Sequence, residues 1–188
     1  GREEGGGKSV AELQQRVAAW QHLGSRPVVD LYKLQAKLSR LHFFGERPKL
    51  QPTWRRLIQI YLVSQGRNPT REAITEFQAT KLGRASGATL LGELLPLPAQ
   101  STRSWPYAEL VEEASFLACR KTYRAAIEPI RIKLLSDAIR THRPARVVFY
   151  GKGSKAAWAL VAGCELAERE ESIWTATKGP TGVFLCLH

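Results

Sequence analysis

The stretch RPARVVFYGKGSKAAWALVAG, Arg143–Gly163, decides how this chain is read. Val147, Val148, Phe149 and Tyr150 form a short β-branched and aromatic run that halts at Gly151, as a buried strand does. From Ser154 an alanine-rich apolar segment of helical length follows and stops at Gly163. A strand that turns straight into a helix is half of a crossover unit, and crossover units build parallel sheets.

Further strand signals flank this unit. SIWTAT (172–177) and TGVFLCLH (181–188) lie after it. LHFF (41–44), broken by Gly45 and Pro48, and ATLLGELLPLP (88–98), which cannot continue past Pro96 and Pro98, lie before it. Helical periodicity fills the intervals. Ser9 with Glu12 reads as a capping box for a helix to about Leu23, and Leu31, Leu34, Leu38 and Leu41 recur at helical spacing. Helices are expected over 51–66 and 68–83, each with Pro near its start and Gly as its stop, and over 107–118 and 121–141, the last with Pro129 inside. The pattern predicts an α/β fold of three layers, α/β/α, around a central, mostly parallel four-stranded sheet. Residues 1–8 read as a disordered tail. Residues 9–188 read as one α/β domain, with a helical segment over 9–40 and a core over 41–188.

The 188 residues include 28 Lys and Arg against 17 Asp and Glu, a net charge of +11, with a pI near 10. A surplus of this size points to a phosphate-bearing partner. It is also local: from Lys33 to Arg56 seven basic residues face only Glu46. No apolar run reaches the ~20 residues of a membrane-spanning helix, so no membrane partner is expected and the protein is read as intracellular, in cytoplasm or nucleoid. Cys119, Cys164 and Cys186 are widely spaced and read as reduced thiols without metal. The order of a Ser-His-Asp triad, HExxH and a dinucleotide fingerprint are all missing from the sequence, and no cofactor is expected.

In open parallel sheets ligands bind beyond the carboxyl ends of the strands. That rule would bring Glu46, Lys152, Ser154 and His188 to one edge. The turn from Gly151 to Ser154 has the form of a phosphate cradle, although Ser154 capping the next helix accounts for it as well. Trp54, Trp105 and Tyr107 lie in or beside the same loops. Trp105 is a candidate for stacking on a base, whereas helix packing suffices for Trp54. Arg47, Lys49, Arg55 and Arg56 should form one positive patch around the mouth that holds Glu46.

FFGERP (43–48), GELLPLPAQSTRSWPY (92–107), RPARVVFYGKGSKAAWALVAG and GVFLCLH (182–188), in this order, resemble the uracil-DNA glycosylase superfamily. The resemblance covers roughly Leu41 to the end. It implies removal of a flipped uracil-type or otherwise damaged base from DNA, single-stranded or damaged duplex, and further chain after His188. It implies that Gly45 and Pro48 shape the base pocket, that Glu46 activates water, and that His188 stabilises the departing base. Glu93 stands where an asparagine usually meets the base. Two other readings share these residues: a non-catalytic nucleic-acid-binding module, with Arg47, Lys49, Arg55, Arg56, Lys152 and Ser154 on the phosphates, and a metabolic protein holding a nucleotide or sugar phosphate at Gly151–Ser154.

Overall fold

The computed structural model describes residues 9–98 and 104–186, so His188 lies outside the described residues. They fall into two compact units, Ser9–Leu91 and the chain from Gly92 onward. The point between residues 40 and 41 at which the sequence suggests a division lies within the first.

The first unit is helical: α1 (Val10–His22), α2 (Leu31–Lys37), α3 (Pro52–Ser64) and α4 (Arg71–Thr80), with a 3-10 turn at Leu41–Phe43. Local chemistry sets each start. Ser9, Asp30 and Thr70 are extended N-caps whose side chains accept from the backbone N–H three residues on, and Pro52 occupies the first turn of α3. Ile58 and Leu62 of α3 pack on Ile74 and Phe77 of α4, with Leu82 closing the cluster. Glu12 of α1 accepts from Arg16 (3.1 Å) and from Arg40 (2.6 Å), which fixes α1 to the end of α2.

Asp30 carries more than its cap. Its carboxylate accepts from the N–H groups of Lys33 (3.1 Å) and Ala85 (2.9 Å) and faces Arg84 at 3.8 Å. Partial burial pushes its pKa up, but these hydrogen bonds and the Arg84 charge outweigh burial and leave it below the ordinary value. The stabilisation is therefore complete above the unfolded value of about 3.9 and is lost as pH falls through the lower folded value. Asp30→Ala should cost about 1–2 kcal/mol at pH 7. It should also flatten the acid limb of stability against pH, and an unchanged limb in urea titrations between pH 2 and 5 would count against this assignment.

The second unit holds α5 (Arg120–His142), β1 (Arg146–Tyr150), α6 (Lys155–Ala162), β2 (Ala167–Glu170), β3 (Ile173–Lys178) and β4 (Thr181–Cys186), with sheet order β1-β4-β3-β2. Phe149, Trp158, Val161, Trp174 and Val183 form its core, joined by Ile132, Leu135 and Ile139 of α5. The packing shows one helical layer, the α5–α6 pair, joined to the sheet by this core.

The mixed helix-and-strand class is as expected, but the sheet is not mostly parallel. Only β1 and β4 run parallel, whereas β2–β3 and β3–β4 are antiparallel. The cause is connection length. Glu171-Ser172 and Gly179-Pro180 are two-residue links, with Ser172 and Gly179 at positive φ, and a link that short makes a hairpin and cannot cross over. Two expected strands are also missing. Residues 41–43 form a 3-10 turn, and Phe43 and the following Phe44 are both buried, against the alternation of a strand; residues 88–98 are irregular, with Pro96 and Pro98 unable to donate to a ladder. The helix expected over 107–118 is two 3-10 turns, Pro106–Leu110 and Ser115–Leu117.

Candidate functional site

The first unit carries most of the charge: thirteen Lys and Arg against five Asp and Glu over residues 9–91, compared with thirteen against ten over 92–188. Three of those five acids are occupied by cations of the unit, Glu12 by Arg16 and Arg40, Asp30 by Arg84, and Glu76 by Lys81. Lys33, Lys37, Arg47, Arg55 and Arg56 are exposed and form no ion pair with the described residues.

The elements that carry these cations are joined by a row of rings. Tyr32 of α2 meets Phe44 edge-on at 5.5 Å, Phe44 lies 6.1 Å from Trp54 of α3, Trp54 lies 5.4 Å from Phe43, and Phe43 carries His42 at 4.1 Å. The middle of the row is buried, and its two ends, Tyr32 and His42, are exposed. Lys33 and Lys37 rise from α2 at one end, and Arg47 and Lys49 follow the turn. Arg55 closes the first turn of α3, which holds no acidic residue, and Arg56 follows it. A cation at the positive end of a helix dipole is locally unfavourable, by about 0.3–1 kcal/mol.

The turn itself is clamped from beneath. Gln78 of α4 is fully buried, and its side-chain amide donates to the carbonyls of Phe43 (2.9 Å) and Lys49 (2.9 Å) while its oxygen accepts from the N–H of Gln51 (3.1 Å). Gly45 has φ +94°, a conformation that strains any other residue. Nothing in the sequence marks Gln78, because a glutamine inside an amphipathic helix gives no signal of a buried clamp.

Glu46 does not end a strand. It lies past the 3-10 turn and, with Gly45, Arg71, Glu72, Thr75 and Glu76, lines an open cavity of about 460 Å³. Pro48 is half-buried in the same turn. The expected meeting of four strand ends is therefore realised only for β1 and β4, which lie side by side with Tyr150 paired to Cys186. Lys152 and Ser154 do follow β1, in a 3-10 turn. Ser154 stands at the N-cap of α6, but its side chain makes no capping hydrogen bond, so the capping explanation of the Gly151–Ser154 turn fails.

Glu93 lies at the end of β1. Its carboxylate accepts from the Tyr150 hydroxyl at 3.3 Å, and its backbone carbonyl accepts two bonds from Arg131 of α5, at 2.9 and 2.7 Å. Burial raises the Tyr150 pKa far above its usual value, with the adjacent Glu93 charge adding to it, so the phenol stays protonated as a donor. Burial lowers that of Arg131. Tyr123 accepts from the N–H of Leu97, and Tyr107 donates to the carbonyl of Pro98, strapping residues 93–98 in place. Trp105 is held in this framework: its indole N–H donates to Leu117, its ring lies 5.1 Å from both Tyr107 and Tyr123, and the Arg120 guanidinium stands over it at 5.4 Å. Tyr150 and Arg131 were not legible as site residues, since a tyrosine ending a strand and an arginine inside a helix are commonplace.

Cys119 and Cys164 are free thiols. Among the described residues no group of three His, Cys, Asp or Glu side chains is placed to hold a metal ion, and no helix is long and apolar enough to cross a membrane. Compared with family models, with curated proteins and with solved structures, this chain finds no match.

Proposed function

We propose that this protein binds nucleic acid through its first unit, with the phosphates carried by Lys33, Lys37, Arg47, Lys49, Arg55 and Arg56. The observation that carries this reading is the exposure of Lys33, Lys37, Arg47, Arg55 and Arg56 without ion pairs on elements joined by one aromatic row, with Arg55 in the first turn of α3 against the helix dipole. A cation whose only role is solubility gains nothing from standing at the positive end of a helix, whereas one that meets a phosphate there is compensated when the ligand binds. Fluorescence anisotropy with labelled oligonucleotides over a range of salt tests it. Log affinity should fall linearly with log salt, and binding indifferent to salt would remove the reading.

A second reading is base excision of the uracil-DNA glycosylase kind, favoured by the position of Glu93 and Tyr150 beside the paired ends of β1 and β4. In this reading the Glu93 carboxylate, oriented by the protonated Tyr150 phenol, offers an acceptor to a donor on the edge of a flipped base. Water attacks the sugar C1′, the bond to the base nitrogen breaks, and the base departs as an anion. The test is incubation with uracil-, hypoxanthine- and xanthine-containing oligonucleotides followed by detection of abasic sites. Glu93→Gln should change which base is released. No abasic sites with any of the three substrates would end this reading while leaving the binding proposal intact.

A further inference from the structure

We infer that the nucleic acid this surface takes is single-stranded, with an unpaired base stacked on the exposed His42 imidazole and the strand's phosphates on the cations to either side. The inference rests on the binding reading above and deepens it.

Two observations separate single strand from duplex. The first is the second helix of the α3–α4 pair, the element that a two-helix motif would lay in a groove. Its exposed positions carry Glu72 and Glu76, the latter paired with Lys81 just past the helix, against the cation Arg71, so this face offers no surplus of positive charge. Pressed between the two phosphate rows of a duplex, the Glu72 carboxylate, which forms no ion pair with a described residue, would be repelled from both sides. The second is the exposed ring. His42 packs against buried Phe43 with centroids 4.1 Å apart and planes tilted by 45°, and its carbonyl accepts from the N–H of Lys49 at 2.7 Å, so the ring is held at the surface by packing and by backbone. Inside a duplex the bases are already stacked on one another and cannot reach such a ring. In a single strand each base has a free face, and a fixed ring flanked by cations is the combination that single-strand surfaces use.

Tyr32, at the other end of the row, already carries the Arg84 guanidinium 4.3 Å from its centroid, and Arg84 is also bound to Asp30. That end serves as a charged shoulder, and His42 is the stacking position.

The experiment uses the full chain with a labelled single strand of mixed sequence as DNA, the same sequence as RNA, and the DNA as a duplex, all at one salt concentration. The expected result is tighter binding of the single strands than of the duplex. His42→Ala should lose about tenfold or more on single strands and change duplex binding by less than twofold. His42→Phe, which keeps a ring and removes every ionisable atom, should restore single-strand affinity. Equal affinity for duplex and single strand, or an unchanged single-strand affinity in His42→Ala, would overturn the inference while leaving the binding reading standing. Failure of His42→Phe to restore affinity would replace stacking with a polar role and overturn it too. Salt-independent or undetectable binding of all three ligands would instead sink the underlying reading. The DNA and RNA arms separate the two sources of the same chemistry.

Discussion

The variant in which Lys33, Arg47, Arg55 and Arg56 are all replaced by alanine should bind a single-stranded oligonucleotide several hundred times more weakly at 0.1 M salt, and its salt slope should be about three units shallower. Each phosphate neutralised on a single strand contributes about 0.7 to the slope of log affinity against log salt, and that electrostatic contribution vanishes near 1 M, so giving up four phosphates lowers affinity by nearly three decades at 0.1 M. The same variant should not melt earlier. None of the four makes an ion pair with a described residue, and removing Arg55 relieves the positive end of α3, which offsets the loss of the Lys33 charge near Asp30. A fall in affinity with melting unchanged or slightly higher is the pattern of residues kept for binding against local stability. Titration by anisotropy at four salt concentrations, with a thermal melt of each protein, reads both quantities. An unchanged slope would show that these cations touch no phosphate.

Where the sequence was legible, a local chemical signal decided the structure alone. Ser9 and Thr70 cap α1 and α4 as their side chains require, Pro52 and Gly66 bracket α3, and the Val147–Tyr150 run followed by an alanine-rich segment is the strand–turn–helix of β1 and α6. What was not legible depended on partners distant in the chain or on very short links. Strand β2, Ala167–Glu170, is exposed at every position and carries no apolar alternation; it is a strand because Ile173–Lys178 folds back on it. Its charges suit a sheet edge, where they discourage further pairing. The two hairpin links were hidden because neither Glu171-Ser172 nor Gly179-Pro180 is a common two-residue turn pair, and without them the alternation of strands and helices suggests a parallel sheet. LHFF has strand composition, but Phe43 and Phe44 are both wanted by the core of the helical unit, and tertiary demand overrides so weak a local preference. For the site, the concentration of basic residues from Lys33 to Arg56 was visible at once. The ring row that joins their elements was not, because it runs through residues of α2, the turn and α3.

That turn is clamped to α4 by one residue, and the largest stability effect should come from removing it. Gln78→Leu keeps nearly the same volume in α4 but takes away two donors and one acceptor, leaving the carbonyls of Phe43 and Lys49 and the N–H of Gln51 to find other partners. Each buried backbone group left unpaired costs about 1–3 kcal/mol. Water can recover part of this because residues 45–47 beside the clamp are exposed, so a net loss of about 3 kcal/mol is expected for the first unit. In a unit of this size that is roughly 10–20 °C in melting temperature. Gln78→Glu should also destabilise, since its carboxylate would be buried against two carbonyl oxygens; it would keep only the bond from Gln51. Binding should follow stability in a specific way. Even at a temperature where the Gln78→Leu protein stays folded, the segment from Phe43 to Lys49 is released from α4, so Arg47 and Lys49 no longer hold a fixed place beside His42. The salt slope should then fall by the share of one to two phosphates, about 0.7 to 1.4. Amide hydrogen exchange on the full chain localises the effect, with protection lost first over residues 43–51 and α4. If Gln78→Leu melts within 1 °C of the parent and keeps its exchange protection there, the three bonds do not hold the turn, and the positions of the cations must be set by the aromatic row alone.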